Sequence, residues 1–556
     1  MQPRAPLAQL PTHEVVNMPP HLGDQNLWQD DPVLRAAVDR EGAGWAADHF
    51  DALGAAVGSE ASFDKADQAN RHSPQLAAYD RYGMRVNQVT YHPAYHDLLG
   101  LAIKHQLGSF AWHNEGRGGQ VGQAALIYMF NQVEAGVMCP MAMTYSAIPA
   151  LRSTPEIANA WIPRLLSTHY DARDLPVEEK TGATIGMFMT EKQGGSDVRS
   201  NSTHAVPLGA ATGIGEAYLL TGHKYFCSAP MSDGFLTLAK TAMGISCFLV
   251  PRWTPEGQRN SLFIQRLKDK LGNRSNASSE IEMQDTWGLM VGNEGRGIRT
   301  IIDMVQGNRV YCAMASAGLM RQGLVQAVHW TRNRRAFQRT LSDQPLMANV
   351  LADLAIETEA ATLLGLRVAR AMDQASSDPG AAAFARIGTA IAKYWNAKRA
   401  PGHVFESMEC HGGSGYIEES ILPRLYREAP INSIWEGCGN VLCLDVLRAM
   451  EREPLAIPAL FDELELARGG DPALDLAIDR LRNDLKDRRH LEARARRLTE
   501  QMAVMLQAAL LIRHAPSAIA DAFCQSRLDD SALAYGCLPP GSDFEAIINR
   551  ALPPHH

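Results

Sequence analysis

Met189-Thr190-Glu191-Lys192-Gln193-Gly194-Gly195-Ser196-Asp197 stands where the texture of the chain changes. Two glycines among Ser and Thr let backbone approach a ligand closely and present amides and hydroxyls to it. Read alone, the run is equally a polar loop. Before it, residues 1–183 read as helical after an irregular, Pro-containing start. Pro32–Arg40, 94–107 and 121–137 carry apolar residues three and four apart, and Asp31-Pro32 matches an N-cap followed by proline in the first helical turn. After it, 184–290 turns into short alternating or apolar runs, such as 217–220, 235–239 and 246–250, separated by Gly, Asn and Ser, which predicts a compact β domain. Helical texture returns over 291–452, with Ala- and Leu-rich segments at 310–335 and 346–374, and a further helical segment covers 453–556. Helices, then strands, then helices predict a segregated α+β organisation.

The 556 residues predict three to four domains. With 46% hydrophobic and 21% charged residues, the chain is neither disordered, collagen-like nor a small disulfide scaffold. A net charge of -8 excludes a protein that is basic all over, so any DNA contact requires a local patch. Nine scattered Cys without a CxxC pair, a start lacking a continuous apolar stretch, and no uncharged apolar run of membrane-spanning length together lead us to expect reduced thiols, no signal peptide and a cytoplasmic protein. No GxGxxG or GxxxxGK[ST] is present, so a Rossmann or P-loop cradle is not expected. His92 and His96 have the i, i+4 spacing of a metal pair. Pro93 places His92 at a helix start and no third ligand is near, so no metal is expected.

Three more runs are candidates for chemistry. Lys224-Tyr225-Phe226-Cys227-Ser228 reads as an aromatic strand ending in a hydroxyl, able to cover and hydrogen-bond a planar heterocycle, or as an ordinary amphipathic strand. His411-Gly412-Gly413-Ser414-Gly415-Tyr416 is a Gly-rich turn between helical segments. In Asn432-Ser433-Ile434-Trp435-Glu436-Gly437-Cys438-Gly439-Asn440 one carboxylate lies between an indole and a Gly-rich turn. Shielded from water, such a carboxylate has a raised pKa and suits a general base; the alternative is a helix-capping glutamate.

In this order, these runs resemble the acyl-CoA dehydrogenase family. Its TEPxAGSD pattern is similar to Thr190–Asp197, with Lys192-Gln193-Gly194 in place of Pro-x-Ala. Its WIT strand resembles Phe226-Cys227-Ser228, its Arg-x-x-Phe pair Arg334 and Phe337, its GGxGY element Gly412 to Tyr416, and its base loop Trp435-Glu436-Gly437-Cys438. Within the family, the wording of 266–278 and 444–448 and the extra C-terminal segment resemble the alkylation-response flavoproteins. The resemblance implies a helical N-terminal domain, a central β domain, a C-terminal four-helix bundle and an additional helical domain. It implies FAD, contacted by Met189, Thr190, Ser196, Phe226 and Ser228, with Ser228 beside flavin N5. Trp435, Cys438 and Asn440 would contact it from the base loop. Arg334, Phe337, Glu409, Gly412 and Gly413 would hold its adenine-diphosphate half across a subunit boundary of a homotetramer. Glu436 matches the catalytic base, and Ser196 and Arg309 would meet an acyl-CoA or other small substrate; Arg448, just after the base loop, either points at a pocket ligand or caps a helix C-terminus. Cys438, Glu409 and Gln306 depart from the family's Thr, Gln and acidic residue, the last removing a polar anchor for CoA; resemblance to the alkylation-response branch implies weak acyl-CoA dehydrogenase activity, such as on isovaleryl-CoA.

The same branch implies double-stranded DNA binding in a response to alkylation. Between 476 and 500 stand Arg480, Arg482, Lys486, Arg488, Arg489, Arg494, Arg496 and Arg497 against five carboxylates. They fall largely opposite an apolar stripe. Such a face contacts phosphates, or is a solvated helix surface laced with ion pairs. Alternatives are a metabolic acyl-CoA dehydrogenase without DNA binding and a DNA-protective protein with a vestigial flavin.

Overall fold

The computed structural model describes residues 7–211, 215–529 and 534–553. Helix Pro32–Arg40 forms as its pattern dictates. Asp31 Oδ1 accepts the Leu34 amide at 2.9 Å, Pro32 occupies the first turn, and Val33, Leu34, Ala37 and Val38 face inward. The N-terminal region continues through helices including α1 (Pro93–Lys104) and α2 (Met138–Leu151). The pattern over 121–137 is not one helix. It stops at Asn131, because the buried Glu134 carboxylate turns the chain: it accepts the Val137 amide at 2.7 Å, Ser275 Oγ at 2.6 Å and Asn70 Nδ2 at 3.0 Å. An antiparallel hairpin, Gln75–Tyr79 with Arg85–Thr90, interrupts the helices. Its residues are exposed or half-buried apart from Val89, and Leu76-Ala77-Ala78-Tyr79 stand in a row, which leaves little apolar alternation to read.

The central domain contains β1 (Ile185–Phe188), β2 (His204–Ala211), β3 (Glu216–Ser228), β4 (Gly234–Thr241), β5 (Gly244–Pro251), β6 (Leu262–Leu267) and β7 (Ser278–Val291). Strand order is β1-β4-β2-β3-β7-β5, β6 pairs with β7, and pairing of β4 with β5 closes the path. Closure leaves few free edges. Phe188, Phe235 and Phe248 fill the interior. β3 and β7 run antiparallel from Ala217 opposite Leu289 to Ser228 opposite Ser278, which delivers the end of the aromatic strand to the rim facing the helices.

Beyond the barrel, α3 (Ile302–Asn333), α4 (Pro345–Gln374) and α5 (Pro379–Glu409) pack together and α6 (Gly439–Arg452) completes a four-helix bundle. Their Ala-rich faces allow close approach, and each fully buried Leu adds about 1.5–3 kcal/mol. The last region includes α7 (Pro472–Asp484), capped by Asp471 on the Ala473 and Leu474 amides, and α8 (Leu491–His514). Leu474, Ile478, Leu481, Ala495, Leu498, Met502 and Met505 are buried in the apolar cluster that also runs through the bundle. The extra segment therefore docks on the bundle through its stripe, with α8 against α4, α5 and α6. No helix among the described residues is long and apolar enough to cross a membrane.

Candidate active site

Glu436 lies in the turn before α6, in left-handed backbone (φ 54), and Gly437 follows at φ 95. A non-glycine residue there is held at a penalty of about 1–2 kcal/mol, so something must hold it. Three successive carbonyls are gripped by two buried cations. Lys393 Nζ, on α5, donates to Trp435 O at 2.7 Å and to Gly437 O at 2.6 Å, and Arg309 Nε, on α3, donates to Glu436 O at 3.2 Å. Arg309 is anchored in turn by Asp445 Oδ2 at 2.6 Å; Arg386 reaches both Asp445 oxygens and Arg448 Nη1 one of them at 3.2 Å. Arg309 and Arg448, expected at the substrate, are thus both paired within the chain. Arg309 is buried, whereas Arg448 keeps more than half of its side chain in solvent.

Burial raises the pKa of Glu436 above the ordinary carboxylate range, and Lys393, Arg309 and a hydrogen bond from Asn308 pull it back. Asn308 is fixed by Ser146 Oγ at 2.7 Å. Trp435 is half-buried, with Nε1 on Asn432 Oδ1 at 3.2 Å. Cys438 stands at the N-cap of α6 without a side-chain capping bond.

Across from the base loop, Ser228 Oγ lies 3.2 Å from Cys139 Sγ and accepts Asn276 Nδ2 at 3.1 Å. Burial pushes the Cys139 thiol up to about 11, with Ser228 opposing, so it stays neutral. The Gly-rich loop is pinned from beneath. Buried Glu191 accepts Lys224 Nζ at 2.9 Å, the Ser202 amide at 2.6 Å and the Thr203 amide at 3.1 Å. The carbonyls of Met189 and Thr190 accept Asn201 Nδ2 and the Tyr225 amide. Ser196 and Phe226 remain exposed, the latter by 51%.

A third group gathers at the far end of α3. The Arg334 guanidinium lies 5.6 Å from the Trp330 ring centroid, and Trp330 meets His411 at 5.0 Å, next to Gly412. Arg334 also donates to Asn17 O at 2.7 Å. Phe337 is 92% exposed at a turn with φ 50, and Glu409 ends α5 on the surface.

These residues fit a flavin dinucleotide. The Asn276 Oδ1 acceptor beside Ser228 is buried with no partner. Phe337 offers an open ring, and Phe226 is half exposed with the Lys268 ammonium 4.7 Å from its ring centroid. Nothing stands within 4 Å of where a Cβ would lie on Gly412 or Gly413, leaving room for a diphosphate against the backbone.

Of the eight cations between 476 and 500, Arg494 is half-buried and bonded to the Asp484 and Asp487 carbonyls; the other seven are exposed. Arg482 pairs with Glu465, Arg489 with Asp487, and Lys486 bonds Asn483. Arg496 Nε bonds Asn440 Oδ1 at 2.8 Å, joining α8 to the base-loop end of α6. Arg480, Arg488 and Arg497 have no ion pair among the described residues. His92 caps α1 and stacks on His72, while His96 bonds the Tyr170 hydroxyl. The described residues contain no group of three or more His, Cys, Asp or Glu arranged to hold a metal ion.

Sequence reasoning missed Lys393, Asp445, Asn308 and Asn276. Lys393 had a signal: a lone cation in the apolar run Ala390-Ile391-Ala392-Lys393-Tyr394-Trp395. The others depend on contacts far apart in sequence.

Family models match along most of the chain: the adaptive response protein AidB N-terminal domain at residues 17–172, the acyl-CoA dehydrogenase middle domain at 186–286 and the acyl-CoA dehydrogenase C-terminal domain at 295–451. The chain is 43% identical over 520 residues to the putative acyl-CoA dehydrogenase AidB of Escherichia coli (strain K12), covering 93% of this chain and 95% of that protein. A crystal structure of Caenorhabditis elegans ACDH-11 in complex with C11-CoA superposes with a TM-score of 0.82 at 27% identity, over 99% of this chain and 95% of that one. A Bacillus anthracis acyl-CoA dehydrogenase complexed with FAD shares the fold, with a TM-score of 0.63 at 19% identity, over 79% of this chain and 81% of that one.

Proposed function

The chain belongs to the acyl-CoA dehydrogenase family, and on that premise we propose that it is an FAD flavoprotein of the cytoplasmic response to DNA alkylation, binding double-stranded DNA and dehydrogenating acyl thioesters weakly. The observation that carries the redox half is Glu436, a carboxylate of raised pKa on a loop whose three carbonyls are clamped by Lys393 and Arg309. Glu436 takes the α proton of the acyl thioester. Its backbone N–H polarises the thioester carbonyl as negative charge develops there. Bound FAD supplies the acceptor for the β hydride.

Ser228, Phe226, Met189, Thr190 and Ser196 hold the flavin half of the cofactor, with Trp435, Cys438 and Asn440 on the base-loop side. Arg334, Phe337, Glu409, Gly412 and Gly413 take the adenine-diphosphate half across a subunit boundary in a homotetramer. Arg309 acts through the base loop, with its guanidinium committed to Asp445. Arg448, partly in solvent, retains donors for a pocket ligand. A C11-CoA complex of a full-length neighbour supports an acyl-CoA substrate class.

DNA binding rests on the exposed cations of α7, α8 and their connection, above all Arg480, Arg488 and Arg497. A second reading, a metabolic dehydrogenase whose final region serves assembly, is favoured by the internal partners of Arg482, Arg489, Arg494 and Arg496. Salt-dependent binding to duplex DNA separates the two. On the first reading, binding weakens as salt rises, and Arg480→Ala/Arg488→Ala/Arg497→Ala lowers the log–log slope by about 0.9 for each phosphate no longer neutralised, with flavin chemistry unchanged. Absence of binding at low salt, with rapid flavin bleaching by isovaleryl-CoA, supports the second.

A further inference from the structure

A cavity of about 290 Å3 opens between α1, the hairpin strand Arg85–Thr90, the loop over 170–184 and the turn over 229–233 that joins β3 to β4. Its walls include neither the base loop nor any position assigned above to FAD. One wall is aromatic. Tyr91 and Tyr95 stack at 4.2 Å and 18°, and His96 meets both rings nearly edge-on. His96 Nδ1 lies 2.6 Å from the Tyr170 hydroxyl.

The charged groups around this space are already paired. Lys180 is bonded to Asp233, and Asp171 to Arg173 and the Thr181 amide. Asp174 holds Arg252, Arg259 and the Trp253 indole N–H. Burial lowers the pKa of His96, which leaves it neutral. Among the lining residues, the fully buried side-chain polar atom without a partner is Ser232 Oγ. The residue as a whole is 3% exposed. A buried hydroxyl left unpaired costs about 1–3 kcal/mol. A cavity with an aromatic wall, its bordering charges paired and a buried polar group turned to it resembles the usual build of a small-molecule site.

We propose that this cavity binds a small, neutral aromatic molecule carrying one hydrogen-bonding group, with Ser232 Oγ on that group and the Tyr91–Tyr95–His96 wall against its ring. The paired charges set the class. An anion would find each nearby cation already sharing a carboxylate, and an unpaired charge here would be desolvated without compensation. An aromatic ring instead packs favourably on the wall, edge-to-face or offset.

Isothermal titration of the full chain, purified with its flavin, tests this with indole as the probe and benzoate as the charged control. The expected result is one saturable indole site, with benzoate binding at least tenfold weaker. Ser232→Ala removes no existing bond, so it should fold as wild type and weaken indole at least fivefold. Ala183→Leu, which fills part of the cavity, should abolish saturable binding. Far-UV dichroism and the flavin spectrum of both variants serve as folding controls. The proposal is overturned if wild type shows no saturable indole binding, if benzoate binds as tightly as indole, or if Ser232→Ala binds indole at wild-type strength.

Discussion

Lys393→Met is the perturbation that most sharply probes how the base loop is held. Lys393 is fully buried, and its ammonium bonds the carbonyls on either side of Glu436 at 2.7 and 2.6 Å. Hydrogen bonds to a charged group contribute about 1.5–3 kcal/mol each, so two come to about 3–6 kcal/mol. Removing a buried ammonium also relieves a desolvation penalty of several kcal/mol by order of magnitude. The net loss expected for the loop's present shape is about 1.5–3 kcal/mol. That corresponds to a fall of about tenfold to a hundredfold in the rate at which Glu436 abstracts a proton. The charge change adds a second signature. Burial raises the Glu436 pKa and Lys393 opposes that rise, so the variant's pKa moves further up. Only the deprotonated carboxylate is a base; the acid limb of the rate profile therefore moves to higher pH. The assay is anaerobic rapid mixing with isovaleryl-CoA, following flavin bleaching across pH, with thermal melting and flavin content as controls. Bleaching within threefold of wild type and an unmoved acid limb, in a folded variant that retains flavin, would refute the reasoning.

Other substitutions follow from the same structure. Asp445→Asn leaves Arg309 and Arg386 without their buried partner; breaking such a cluster costs about 3–5 kcal/mol, so thermal melting should fall by several degrees and bleaching should slow. Glu428 is buried and its carboxyl is pushed up to about 7, first by burial and then by Glu134. The folded state therefore holds that proton more tightly than the unfolded chain, and stability falls as pH rises from about 4.5 to 7, by about 3 kcal/mol at 1.36 kcal/mol per unit. Glu428→Gln should flatten the melting-temperature profile between pH 5 and 8 and exceed wild type at pH 8. Lys224→Met strands buried Glu191 beneath the Gly-rich loop; the variant should lose flavin on gel filtration, with about 3–5 kcal/mol less stability.

The helical ends of the fold and the β domain between them were legible because they write strong local signals. Asp31-Pro32 is a capping signal, 217–220, 235–239 and 246–250 are short apolar runs bounded by Gly, Asn and Ser, and the helix over 346–374 repeats apolar residues every three to four. The break at Glu134 and the hairpin at 75–90 were not. The first is set by a buried carboxylate whose partners, Asn70 and Ser275, lie 64 and 141 residues away; the second does not alternate, with Leu76-Ala77-Ala78-Tyr79 in a row and Val86 and Val89 three apart. The site divides the same way. Glu436 stands out as a carboxylate between Trp435 and glycines. Its support, by contrast, comes from Lys393, Arg309 and Asp445 on three separate helices, a juxtaposition that exists only after packing. The charge pattern over 476–500 reports a basic face, yet Asn440 as the partner of Arg496 appears only when α8 docks on α6.

The most direct measurement is anaerobic titration of the purified protein with isovaleryl-CoA, comparing wild type with Glu436→Gln. The expected result is that both proteins carry FAD, wild type bleaches, and Glu436→Gln retains its colour because no group takes the α proton. A Glu436→Gln protein that bleaches at the wild-type rate, or a wild-type protein that carries no flavin after careful purification, would contradict the assignment.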